Sequence, residues 1–578
     1  MGLLLLLGGA GEPNVRNLFA QNEPGLAIDV EQAYRRGWVF QDANGLTVSA
    51  SPGDPVGLIL DTSRGGLDAI GSDLVSNGTF ATDTVWTKGA NWTIGSGVAT
   101  KTGGAANNLT QTISSTAGLW YRITMDVTRT AGTLTVSLGT SGTTYAITAT
   151  GTYTFFILAG SSTQTLTLAG DSAFAGTVDN VTARLVPGNH AYQTTSGSRP
   201  ALARTPDGGR RNLLTYSEQF DVTSGGWTKN SATITANSTT APDGTTTADT
   251  ITATAAFGNF TQVSSQASTT FTMSIYAKKN GFDQIELGIT NTNAYVHGFA
   301  ARFDLTTGLY VSQRTFGTGY TLTGYSIADA GNGWYRITCS GTISVAAAPC
   351  GWAGLTTSAV NGSTVFVWGA QLETGSSATT YQRVTTTHDV TESGKRDCWG
   401  LLADGSDDSL ITTSIDFSST DKMTVMAGVR KNSDAATGVV AELTGSVSAN
   451  NGSFGLFEPS GSASKLAFAS RGTSTEFAET SVTAAWQAPS TSVLTGQANI
   501  SAPSVSVRRN SVSVASSTST QGSGNYSNAI VYIGSRAGTS LRFSGILYTL
   551  IIRGAATPEG TIADFERNLL AKRAGVSY

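Results

Sequence analysis

Cysteine and histidine are almost missing from this chain of 578 residues. The three cysteines, Cys339, Cys350 and Cys398, are too few, and odd in number, for a disulfide framework. Cys339 and Cys350 could pair across neighbouring strands; the competing reading is buried free thiols. The three histidines, His190, His297 and His388, are far apart in sequence. No nucleophile elbow, phosphate-binding loop, zinc-type cysteine pair or HExxH helix accompanies them, so no catalytic motif is recognisable and none is expected to act. Charge is scarce too, at 13% of residues against about 25% in ordinary domains. A net charge of −4 leaves no basic excess to neutralise phosphates, which argues against a nucleic-acid partner. No apolar run approaches the ~18 residues of a membrane span, so membrane insertion is not expected. The run Leu3, Leu4, Leu5, Leu6 and Leu7 follows no basic segment and is shorter than the ~7–15 apolar residues of a secretory leader. Exposed, it would aggregate. It is therefore expected to serve as an assembly anchor, buried against a partner subunit or along a symmetry axis.

What fills the chain is glycine (68 residues), threonine, serine and asparagine, punctuated by 10 Trp, 17 Tyr and 22 Phe. Low net charge with this many aromatics is not the signature of disorder. Thr, Val, Tyr and Trp suit pleated surfaces, and Gly, Asn and Ser suit tight turns, so the composition predicts an all-β protein of many short strands. Its length predicts several domains.

Residues 1–68 read as a small mixed segment for anchoring and assembly. In it a helical stretch is broken by Pro24, Trp38–Phe40 leads into an Asn44-Gly45 turn, and Val56–Asp61 forms an apolar strand. Residues 69–187 read as an antiparallel β-sandwich in which Leu134, Val136 and Leu138 alternate with polar residues, as do Leu166 and Leu168. Residues 188–212 are polar and broken by Pro200, Pro206 and Gly208-Gly209, as a linker would be. Residues 213–385 repeat the plan of the first sandwich: Phe220 precedes Trp227-Thr228-Lys229 as Phe80 precedes Trp86-Thr87-Lys88, and Trp334–Thr338 echoes Trp120–Thr124. Residues 386–578 read as a third sandwich. There Val505 and Val507 alternate with serines, and a helix from Pro558 to Lys572 carries the stripe Ile562, Phe565, Leu569 and Leu570.

Two sets of residues point to ligand chemistry. Flat indoles stack on the apolar face of a pyranose while nearby amides and carboxylates bind its hydroxyls, which makes Trp86, Trp92, Trp227, Trp334 and Trp352 candidates for carbohydrate binding. The competing reading places each of them in a sandwich core. Asp404, Asp407 and Asp408 crowd one turn and could supply oxygens to Ca2+; the alternative is a turn whose aspartates cap their own backbone. No cofactor is required by anything else in the sequence. A glycosidase needs only two carboxylates, so an embedded hydrolase is not removed by counting acids.

Several stretches resemble proteins of tailed-bacteriophage virions. They are Phe40–Gly45 with Val56–Asp61, Gly188–Ala191 with Ser198–Pro200, and Asn212–Phe220 with Trp368–Glu373. Leu74–Phe80 looks like the opening strand of a jelly-roll carbohydrate-binding module. Asp404–Asp408, Asp421–Val425 and Phe543–Tyr548 resemble a laminin-G or concanavalin-A-like lectin domain. The resemblance implies tandem jelly rolls in a structural virion protein: a fibre-like, homotrimeric appendage held to other virion proteins by its N-terminal segment and attaching to host surface polysaccharide. A capsid, collar or tail decoration protein without a ligand, and a host-polysaccharide depolymerase, are the alternatives.

Overall fold

The computed structural model describes residues 12–140, 142–160, 164–264, 268–291, 295–347 and 349–577. The Leu3–Leu7 run lies outside them. The chain is all-β, built of antiparallel sheets packed as sandwiches, with helical segments short and few among the described residues. It divides into two compact units. One joins the residues up to Ala203 to those from Cys398 onward, and the other is Arg204–Asp397.

In the first unit the C-terminal sandwich is completed by the N-terminal residues. Strand Gly25–Asp29 pairs antiparallel with Ser544–Arg553, with Gly25 opposite Arg553. Ser544–Arg553 also pairs with Lys422–Lys431, and the same sheet continues through Ser490–Asn499, Ser504–Arg509 and Val512–Ser517. The facing sheet includes Val39–Phe40, Leu58–Ile59, Ala191–Tyr192, Leu410–Asp416 and Asn528–Ile533. Leu26, Ile28, Trp38 and Leu58 share one core with Val425, Leu550 and Ile552. Residues 12–68 are thus not a separate head. Two-residue strands such as Leu58–Ile59 cannot close a core alone, and they find one in the far end of the chain.

Strand Ser544–Arg553 is buried on both faces, because the helical segment from Glu559 to Ala574 covers its outer side. Phe565, Leu569 and Leu570 pack there against Met426, Val493, Ile551, Val15 and Leu18. The expected apolar stripe is therefore present, interrupted only in its hydrogen bonding by a π-helical turn at Glu566–Leu570.

Residues 188–203 differ from the expected linker. His190, Ala191 and Leu202 are fully buried and Ala203 nearly so, and the segment supplies strand Ala191–Tyr192 to the C-terminal sandwich. Its polar residues are used internally. Asp61 accepts the N–H groups of Ala27, Ser63 and Asn189, and its own N–H donates to His190 Nδ1. Burial pushes the Asp61 carboxyl up and the His190 imidazole down to about 4.

The first jelly-roll-like sandwich is looped out of this unit. Its two five-stranded sheets centre on Ala175–Val186 and Thr165–Gly170. The alternation of Leu134, Val136 and Leu138 is that of a half-buried sheet, with all three side chains inside. Gly71 and Leu185, at the two ends of the insert, share a backbone hydrogen bond of 2.8 Å. Inside it, buried Lys101 directs its ammonium at three backbone carbonyls, those of Thr102, Asp171 and Phe174.

The second unit is a sandwich of two six-stranded sheets. One runs Thr228–Asn230, Asn259–Val263, Cys350–Leu355, Gln284–Thr290, Gly298–Asp304, Leu309–Phe316. The other is centred on Thr364–Thr374 and Ser268–Lys279. Phe271, Met273, Ile285, Leu287, Phe299 and Cys339 fill the space between them. Asn212, the first residue of the Asn212–Phe220 stretch, is fully buried. Its side chain donates to the carbonyls of Ala370 and Gln382 and accepts the N–H groups of Leu214 and Leu372. That motif therefore serves as a clasp between the opening segment and the closing strand.

All three cysteines are buried, and none is in a disulfide. Cys339 faces the core of the second unit. Cys350 alternates with core-facing Gly351 and Ala353 and so points out of the other sheet, which is why the pairing considered from sequence does not form.

Candidate functional site

The five candidate tryptophans are all buried, none more than 6% exposed. Four of them satisfy their indole N–H on a nearby carbonyl, as core tryptophans do. Trp86 donates to Asn77 O at 3.2 Å, Trp92 to Asn107 O at 3.1 Å, Trp227 to Tyr216 O at 2.9 Å and Trp334 to Thr240 O at 3.1 Å. Trp86 and Trp92 lie in the first jelly roll's core, and Trp227 packs between Phe220 and Phe260. As aromatic platforms for a sugar these four are corrected to buried packing residues. Trp86, Trp92 and Trp227 pack on other aromatic rings in the sandwich cores, and Trp334 is enclosed in a separate apolar cluster with Ala241, Ala248 and Trp368, so none of the four turns a ring face to water.

Trp352 is different. It lies on the outer face of the second unit's first sheet, and its Nε1 has no hydrogen-bond partner. Strand pairing sets its neighbours. One rung across the sheet runs Thr261, Trp352, Gly288, Ala300, Arg314. The next runs Asn259, Gly354, Glu286, Arg302, Ser312. The small residues beside Trp352 let the indole lie along the sheet; a Cβ on Gly288 would come within 2.5 Å of Trp352 Nε1.

Three aromatic rings and a guanidinium close over this floor. Phe257, Tyr295 and Trp352 meet edge to face with centroids 5.3–5.7 Å apart. Arg314 sits over Phe257, Phe316 and Trp352 at 5.0, 5.1 and 5.7 Å. It also donates to Glu286 Oε1. The Tyr295 hydroxyl donates to Asn259 Oδ1, which also receives Asn230 Nδ2 at 3.1 Å. Burial raises the Tyr295 phenol, keeping it protonated, and pushes the Cys350 thiol up to about 11, so no thiolate forms on this face at neutral pH. Beneath the cover, Glu286 is 2% exposed and its Oε2 has no partner, nor does Arg302 Nε. Phe257 and Tyr295 are half-buried, while Val263 and Val296 are exposed beside them.

Of these residues only Trp352 is a candidate from the sequence; Glu286, Arg302, Arg314, Phe257 and Tyr295 carry no local signal. The alternation in Gln284–Thr290 does place Glu286 and Gly288 on the face opposite Ile285, Leu287 and Ile289, but only the strand pairing brings Arg314 and Trp352 to them.

Asp404, Asp407 and Asp408 do converge, with one carboxylate oxygen of each within 4.8 Å of the others. The turn already uses them. Asp408 Oδ2 accepts the Asp404 N–H and Asp404 Oδ1 the Ser406 N–H, while Arg542 donates to the Asp407 carbonyl. Burial, with the two neighbouring aspartates adding to it, pushes the Asp408 carboxyl up to about 6. The turn thus brings three carboxylates together while using two of them as caps for its own backbone.

No family model matches the sequence, and no curated protein sequence matches it. Solved structures do. The carbohydrate-binding module CBM40 of the Ruminococcus gnavus IT-sialidase, bound to α2,6-sialyllactose, is 15% identical, covers 28% of this chain and 95% of its own, and has a TM-score of 0.22. The tandem CBM22-1–CBM22-2 of Paenibacillus barcinonensis Xyn10C is 11% identical over 53% of this chain and 98% of its own, TM-score 0.21. Domains LG4-5 of the mouse laminin α1 chain are 10% identical over 51% and 84%, TM-score 0.21.

Proposed function

We propose that this chain is a structural protein of a tailed-phage virion, a fibre-like appendage that attaches to host surface glycan through its second unit. The observation that carries the binding reading is the outer face around Trp352: half-exposed aromatic rings over a floor with unpaired hydrogen-bonding groups, a combination that suits a ring with one apolar face and a fringe of hydroxyls. The virion assignment rests on the virion-like stretches in the sequence. In this reading the protein binds its glycan without cleaving it, trimers supply several weak sites at once, and avidity replaces affinity. The Leu3–Leu7 segment would hold the appendage to other virion proteins.

The test is binding of the full chain to an array of bacterial surface polysaccharides. Tyr295→Ala and Phe257→Ala remove half-buried rings from the face. Each is expected to weaken the signal roughly tenfold, since aromatic stacking is worth about 1–3 kcal/mol, while leaving the far-ultraviolet spectrum unchanged. Silence of the parent chain across the array would favour a decoration protein, and release of reducing ends from a bound polysaccharide would favour a depolymerase.

A further inference from the structure

Resting on that reading, we infer that the Trp352 face takes an uncharged, hydroxyl-rich saccharide edge, and that Arg314 is a displaceable cover over the groups that bind it. Three buried polar atoms lack partners on this one face: the acceptor Glu286 Oε2 and the donors Arg302 Nε and Trp352 Nε1. Glu286 and Arg302 are directly opposed on neighbouring strands, and Trp352 is on the adjacent rung. A buried acceptor left unpaired is costly, and only a donor relieves it. A carboxylate or sulfate has no proton to give. Brought against the 2%-exposed Glu286, it would be drawn by Arg302 and Arg314 but would still leave Oε2 without a donor and set a second negative charge beside it. A hydroxyl donates to Glu286 and accepts from Arg302 or Trp352, so one group answers both needs.

Arg314 stands in the way, held by its ion pair to Glu286 and by the rings beneath it, and an incoming hydroxyl that donates to Glu286 would take over the role it has to give up. Arg314 lies on the strand at the open edge of the sheet, its side chain is 42% exposed, and its one hydrogen bond to another side chain on this face is to Glu286 Oε1. Swung outward, it gains water and uncovers the rings and the three unpaired atoms.

The experiment is calorimetric titration of the full chain with a neutral oligosaccharide panel (maltohexaose, cello- and xylohexaose) and an acidic one (oligogalacturonate, oligosialate), at about 50 and 500 mM NaCl, where screening of charge differs strongly. Expected is binding to neutral members with a Kd that salt leaves within about twofold. Glu286→Gln should weaken it roughly tenfold and Arg314→Ala should leave it equal or tighter. Melting curves of both variants keep loss of fold distinguishable from loss of site. Binding confined to the acidic panel, weakened by salt and abolished in Arg314→Ala, would overturn the inference and leave glycan attachment standing. Binding to neither panel would overturn both.

Discussion

Among individual residues, burial without full compensation is the recurring theme, and it makes the second unit sensitive to acid in an unusual direction. Glu218 is buried beside Tyr381 and Arg383; burial pushes its carboxyl up to about 6, against the pull of Arg383 and of the Tyr381 hydroxyl. The folded state therefore holds this proton more tightly than the unfolded chain. The stability is complete below pH 4.5 and is lost as pH rises through 6, roughly 2 kcal/mol from this group by neutrality. Hydrogen exchange of peptides from residues 204–397 in the full chain, corrected for intrinsic rates, should show that decline, reinforced by Asp249, whose carboxyl burial also raises to about 6. In Glu218→Gln the Glu218 share should vanish. Identical slopes in parent and variant would mean that Glu218 titrates as an ordinary carboxyl. Nothing in the sequence marks this residue: which acids go inside depends on Tyr381 and Arg383, over 160 positions away.

At the scale of the element, strands were readable and their partners were not. Leu134, Val136 and Leu138, or Val505 and Val507, announce a half-buried strand by alternation alone, and the stripe Ile562, Phe565, Leu569 and Leu570 announces a helix. Alternation says which face is wet. It does not say that Gly25–Asp29 lies against Ser544–Arg553, because pairing across more than 500 positions leaves no local mark. The same gap hid the site: Trp352 stood among five equivalent candidates until its rung placed it beside Gly288 and under Arg314. The pairing has a direct consequence for truncation. A fragment of residues 398–577 should be poorly soluble and lack a cooperative melt, since Ser544–Arg553 keeps Lys422–Lys431 but loses its neighbour Gly25–Asp29 and the apolar residues Leu26, Ile28, Trp38 and Leu58 that share its core. Appending residues 12–68 and 188–203 through short linkers should restore both properties. A cooperative transition of the bare fragment, seen by circular dichroism, would show that the N-terminal strand is dispensable.

Considered as a whole, the chain is not a sequence of beads. The C-terminal sandwich is the host, formed from both ends of the polypeptide, and two further sandwiches are spliced into it. Each insert begins and ends at one place: Gly71 N–H to Leu185 O, 2.8 Å, for the first, and Asp207 N–H to Arg396 O, also 2.8 Å, for the second. Replacing residues 208–395 by a two-residue Asn-Gly turn should therefore leave the first unit folded, with its melting temperature within a few degrees of its value in the parent chain, while glycan binding disappears. Calorimetry and the polysaccharide array read the two outcomes separately; loss of the first unit's transition would show that the insert is part of its fold. The register of Gly25 against Arg553 carries a mechanical corollary. Once the helical segment Glu559–Ala574 has been drawn off the sheet, tension from the two sides enters and leaves at the same end of one antiparallel pair, so it peels the pair rung by rung instead of shearing it. Both spliced-in sandwiches stay off the load path until that pair has opened.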